Sequence, residues 1–153
     1  MGKKNKKLAS SVALQLIAMC GSDNALLRKA EIVRDEFDRV NVVSSMINKQ
    51  EQILLNKVLH TTRAMDSGMR TFLEINGVTP CGYTMGSYLT ELRKGKDKKF
   101  GRLNGYLSQR IQEDVVDKRN KYMHAAGSFP SKKEADQIAE DVASYLQTIL
   151  NLA

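Results

Sequence analysis

Only two prolines, Pro80 and Pro130, interrupt this chain of 153 residues. Proline is the strongest helix breaker, so long stretches are free to be helical and a turn-rich β-sandwich is disfavoured. Cysteine is equally scarce. Cys20 and Cys81 lie far apart with no C-x-x-C between them, which suits two free thiols in a reducing compartment. The two histidines, His60 and His124, join with no cysteine at zinc-like spacing, so a structural zinc site is disfavoured. Apolar runs all fall short of the ~20 residues of a membrane span. The start faintly resembles an export signal, with lysines followed by Val12–Cys20. Gln15 interrupts that run, and Met19 rather than a small residue precedes Cys20. A helix with Leu8, Val12, Leu16 and Met19 on one stripe is the better expectation.

Hydrophobic residues make up 42% of the chain and charged residues 27%, near globular averages, so the sequence has the means to build a core. The length is that of one domain. The net charge of +7 is concentrated. Lys3, Lys4, Lys6 and Lys7 crowd the first seven residues, and residues 93–102 carry six bases against Asp97. The rest is close to neutral. Two positive patches on a neutral body suit a polyanion or an anionic surface, although lysine runs are also commonly solvated tails and loops.

Apolar spacing of three and four marks a helix over residues 24–47 (Leu26, Ala30, Val33, Phe37, Val40, Ile47), with Asp23 as its N-cap. A second stripe runs through Leu54, Val58, Met65 and Met69 to Phe72 and Ile75. A break is expected in the polar stretch 44–50, although the register also permits one long helix. Residues 77–82 read as a loop and 85–92 as a short helix. Leu103, Leu107, Ile111 and Val115 predict a helix over 103–118, supported by the pairs Asp114/Lys118 and Asp117/Lys121. Gly127-Ser-Phe-Pro130 interrupts, and Ser131-Lys-Lys-Glu134 forms a capping box for a last helix lined by Ile138, Val142, Leu146 and Ile149. The expected fold is all-α, an antiparallel helical bundle of four to five main helices. Residues 1–22 are expected to be a basic tail and N-terminal helix, and 23–153 the bundle domain.

The chemistry concentrates in Asp117-Lys-Arg119-Asn120-Lys-Tyr122-Met-His124. An imidazole exchanges protons near neutral pH and could take the proton of a ribose 2′-hydroxyl. A guanidinium, permanently charged, matches two oxygens of the phosphate as negative charge gathers there. Asn120 could orient either group, and no metal is required. Geometry raises a difficulty: five residues on a regular helix leave Arg119 and His124 roughly 140° apart. Either the helix is distorted near His124, or the long Arg side chain bends across, or a second copy completes the site.

Arg119-Asn-Lys-Tyr-Met-His124 resembles the R-N-x-x-x-H motif of HEPN superfamily ribonucleases, and its late position before one closing helix resembles the RiboL-PSP-HEPN type. The resemblance implies an HEPN-like bundle that dimerises through the motif face. It also implies metal-independent endoribonuclease activity without a cofactor, in toxin–antitoxin or anti-phage defence systems, with an antitoxin or other defence protein as a further partner. By position, Arg119 and His124 would be catalytic and Asn120 a polar helper. Lys118 and Lys121 would add field. In the basic segment, Arg93, Lys94, Lys98, Lys99 and Arg102 are candidates to track RNA phosphates, with Phe100 or Tyr106 stacking on a base, provided the segment lies beside the motif. RNA is the expected partner, the membrane is not, and the expected location is the cytoplasm. The alternative is a non-catalytic helical adaptor that binds nucleic acid or a protein. Glu113, Asp114 and Asp117 could be imagined around a metal, but their basic neighbours favour a solvated face. His60 is expected to be structural.

Overall fold

The computed structural model of the protein describes residues 3–46, 50–95, 99–125 and 128–153, with side chains described outside 3–6 and 41–46. The chain runs α1 (Lys3–Met19), α2 (Asn24–Met46), α3 (Gln50–Ile75), α4 (Met85–Lys94), α5 (Gly105–Ile111), a π-helical segment (Gln112–Asp117), α6 (Lys118–His124) and α7 (Lys132–Leu150). All regular structure among the described residues is helical. None of these helices is long and apolar enough to cross a membrane. Expectations placed on Lys3, Lys4, Lys6, Ile47, Lys98 and Gly127 fall outside what is described.

Local chemistry explains the boundaries. The Asp23 carboxylate accepts from the Ala25 and Leu26 amides and starts α2, as its sequence position suggests. At the end of α3, Val78 N–H donates to Leu73 O and Gly77 N–H to Glu74 O. Gly77 sits at φ +67, a conformation that costs glycine little. Thr84 and Asn104 cap α4 and α5, and Ser131 with Glu134 forms the full capping box of α7.

Helices α2 and α3 are separate elements that pack as an antiparallel hairpin. Lys29 near the start of α2 meets Glu74 near the end of α3 at 2.5 Å, and Glu36 meets His60 Nδ1 at 2.6 Å. His60 thus ties two helices together, the structural role its sequence setting suggests. α7 lies along α3 on one side and α1 on the other. The core draws on both sides of residue 23: Ala9, Val12, Leu16 and Cys20 of the N-terminal segment join Val33, Met65, Phe72, Ile138 and Leu146. Such a shared core binds the helices by removing apolar surface from water. A Cβ at Gly68 of α3 would stand 2.6 Å from Leu146 Cδ2 of α7, so these two helices approach closely only because that position has no side chain.

Residues 105–124 wind continuously from α5 through the wide turn into α6, extending past the expected end at 118. They pack against α3, α4 and α7.

One buried charge lies in the α3–α7 seam. Lys57, 5% exposed, donates to Asp136, which also accepts from Lys132 at 2.7 Å. Burial pushes the Asp136 carboxyl up, but the two lysines more than reverse this and hold it down at about 2. Losing Asp136 would leave the buried Lys57 charge without this carboxylate, whereas losing Lys57 leaves Asp136 partly exposed and still paired with Lys132. Asp136→Ala is therefore expected to lower the unfolding free energy in urea by about 3 kcal/mol, while Lys57→Met costs under about 1 kcal/mol.

Candidate nucleic-acid cleft at the Arg119 motif

The motif helix presents one polar stripe. Gln112, Val116, Arg119 and Asn120 follow at helical spacing and line a cleft of about 580 Å³. Thr62, Arg63 and Asp66 of α3 form the opposite wall, and Tyr83, Thr84, Met85 and Gly86 complete the lining. Arg119 and Asn120 are half-buried, with Arg119 Nη1 3.5 Å from Asn120 Oδ1. The Asp66 carboxyl faces this guanidinium. Burial pushes its pKa up against the opposing pull of Arg119 and Arg70.

His124 is exposed and does not line this cleft. It is the last residue of α6, four positions beyond Asn120, so it continues the Gln112–Val116–Asn120 stripe about 6 Å further along the axis. The distortion near His124 considered from sequence is not there; the irregular turn lies at Gln112–Asp117, upstream of both residues. Between Arg119 and His124 the helix is regular, so the two positions stand roughly 140° apart about its axis.

Two contacts hold the motif helix in place. Inside the wide turn, the Gln112 side chain donates to Asp117 Oδ1, five residues on, at 2.7 Å. From the core side, the buried Tyr122 hydroxyl donates to Glu134 Oε1 at 2.8 Å, joining α6 to the capping box of α7. Hydrogen bonds from the Ser131 amide, the Ser131 hydroxyl and Tyr122 hold the Glu134 carboxyl down at about 2. Burial, with help from that same carboxylate, pushes the Tyr122 phenol up to about 12.

The other expected site residues scatter. Lys118 lies 3.8 Å from Asp114, as its spacing suggests, and Lys121 sits over the Tyr122 ring rather than on Asp117. Arg93 lines a second cleft that adjoins the first. Lys94 pairs with Glu91 at 2.9 Å. Lys99 and Arg102 line a different cleft, together with Phe100 and the last two residues. Phe100 is no stacking platform: it is buried, edge-on to Phe72 with ring centroids 5.3 Å apart. Tyr106 is exposed. Among the described residues no group of three or more His, Cys, Asp or Glu could hold a metal ion. Asp114 is engaged by Arg110 and Tyr145 instead.

Of the cleft lining only Arg119 and Asn120 were anticipated as a site; Thr62, Arg63, Asp66 and Tyr83 are among the residues that were not. Their signal was present as a polar interruption, with Thr62 and Asp66 set into the Val58–Met65–Met69 stripe of α3. No family model matches the chain, and neither a curated protein nor a solved structure is similar to it.

Tyr122→Phe removes the bond that ties the motif helix to α7 and is expected to lower stability by about 1 kcal/mol at neutral pH. Because Glu134 is depressed in the fold, this difference is full above the ordinary carboxylate range and closes as pH falls toward about 2. Urea denaturation of both proteins across that range checks it.

Proposed function

We propose that the protein is an endoribonuclease of HEPN type, cleaving RNA without a metal and acting as a homodimer. The observation that carries the reading is Arg119 beside Asn120 in a polar cleft, on the stripe that ends in an exposed His124. Arg63 supplies a second guanidinium in the same cleft. That set suits a phosphodiester, with two cations for the phosphate oxygens and amide and hydroxyl groups for the rest of the nucleotide.

In this reading His124 takes the proton from a ribose 2′-hydroxyl, whose oxygen attacks the adjacent phosphorus. The bond from phosphorus to the 5′-oxygen breaks, and a protonated imidazole returns a proton to that oxygen. The products are a 2′,3′-cyclic phosphate and a 5′-hydroxyl. Arg119 stabilises the phosphorane-like transition state, and Asn120 positions it. Since His124 stands outside the cleft of its own chain, the catalytic set is completed by His124 of the partner subunit across a two-fold axis. A role in a toxin–antitoxin or anti-phage system follows from the motif resemblance.

The position of His124 also favours a second reading, in which the cleft binds nucleic acid without cutting it. Strongly salt-dependent RNA binding with no cleavage products would establish that adaptor role.

The test is incubation of purified protein with RNA in chelator, with analysis of the product ends. Arg119→Ala and His124→Ala are each expected to lower cleavage by at least about 100-fold. Mixing the two variants should recover activity, because a heterodimer rebuilds one intact composite site. Equal cleavage by wild type and His124→Ala would refute the nuclease.

A further inference from the structure

The Arg119 cleft does not end at Gly86. A second cleft of about 490 Å³ shares Gly86 and Gln112 with it and continues past Thr90, Ser108 and Gln109 to Arg93. Gly86 forms the saddle between the two. A Cβ there would meet nothing nearer than Thr84 Oγ1 at 4.0 Å, so the space over this position is open and a bulky side chain could occupy it. The joined groove mixes polar and apolar lining, with Arg63 and Arg119 in its first part and Leu89 and Arg93 in its second. At the Arg119 end stands Tyr83, 72% exposed. Arg70 lies over its ring at 5.0 Å and is itself held by Glu74 at 3.0 Å. One ring face is therefore occupied and steadied, and the other is open.

We infer that the two clefts form one track for single-stranded RNA, in which an unpaired base stacks on Tyr83 beside Arg119 and the strand passes over Gly86 to place a phosphate at Arg93. The inference rests on the nucleic-acid reading of the Arg119 cleft, not on cleavage. An exposed aromatic ring engages a base face only when that base is unpaired, which selects single strands over duplex. Amide and hydroxyl groups between the two guanidinium ends (Gln112, Thr90, Ser108, Gln109) suit polar base edges and sugars better than a uniformly acidic chain.

Binding is measured by fluorescence anisotropy with labelled uridine and adenosine oligonucleotides, in the His124→Ala background so that strands stay intact. Affinity should rise from dinucleotide to octanucleotide, and a blunt RNA duplex should bind at least tenfold more weakly. Tyr83→Ala is expected to cost about tenfold, with Tyr83→Phe restoring it. Arg93→Ala should weaken octanucleotide binding about threefold and reduce its salt dependence by about one phosphate contact. Gly86→Leu should cut octanucleotide affinity down to that of the dinucleotide. This substitution improves helix propensity, and thermal melting confirms that the variant is folded. Lys133→Ala on α7 removes a charge elsewhere and is expected to change binding by less than twofold.

Unchanged binding by Tyr83→Ala and Gly86→Leu, duplex binding as tight as single strand, or displacement by polyphosphate as readily as by RNA would each overturn the track. Cleavage that persists in His124→Ala would remove the nuclease and leave the track standing. His124-dependent cleavage with unaltered binding by the Tyr83 and Gly86 variants would remove the track alone.

Discussion

Between Gln112 and Asp117 the motif helix is wound with the wider π spacing, and the placement of Arg119 and Asn120 follows from that turn. A regular helix rotates each residue by about 100° and buries only a narrow stripe. Here three successive residues are all buried: Asp114, Val115 and Val116. The wide turn fits them into a smaller arc. Val115 enters the core, Asp114 receives the Tyr145 hydroxyl of α7 at 2.7 Å, and Val116 lines the cleft. Resuming α-helical spacing from Lys118, the chain then carries Arg119 and Asn120 on the face that looks toward α3. π turns recur at functional sites because they re-aim side chains while the helix stays continuous.

The opposite wall depends on α3 being held from both sides. Its pairs with α2, through Glu74 and His60, and with α7, through Lys57, fix its rotation. Thr62, Arg63 and Asp66 consequently face the motif helix. Asp66 sets the electrical character of the cleft. Burial pushes its carboxyl pKa up, and the nearby Arg119 and Arg70 guanidiniums oppose that shift. Arg119 is left half-buried in the cleft lining. The strong excess of charge lies elsewhere, with Lys99 and Arg102 lining a separate cleft. Net basicity and the Arg119 cleft are therefore separate features of the molecule, since the cleft mixes uncharged groups with single charges.

Much of the fold was legible in residue order. The stripes through Val33 and Phe37, through Val58 and Met65, and through Ile138 and Leu146 are buried where their spacing places them, and Asp23 and Ser131 cap the helices they precede. Helix periodicity and capping are local, so they can be read along the chain. The reading of Phe100 as a base-stacking residue failed for a related reason. An aromatic among basic residues looks exposed by its neighbours in sequence, but the Phe100 ring is buried against Phe72. The wide turn after Ile111 was equally hidden, since Leu107, Ile111 and Val115 fit an unbroken α-helix just as well.

Composition and spacing by themselves determined the class of fold, the helices and most of their ends, because each depends on residues within one or two turns of one another. They also isolated Arg119, Asn120 and His124 as the segment richest in chemistry. Only the tertiary structure decided that Arg119 and Asn120 share a cleft with Arg63, Asp66 and Tyr83, that His124 stands outside it, and that the basic loop divides between two clefts. Those facts turn on which face of each helix meets a neighbour distant in sequence. Packing of whole helices sets that orientation, and no single stretch of the chain encodes it.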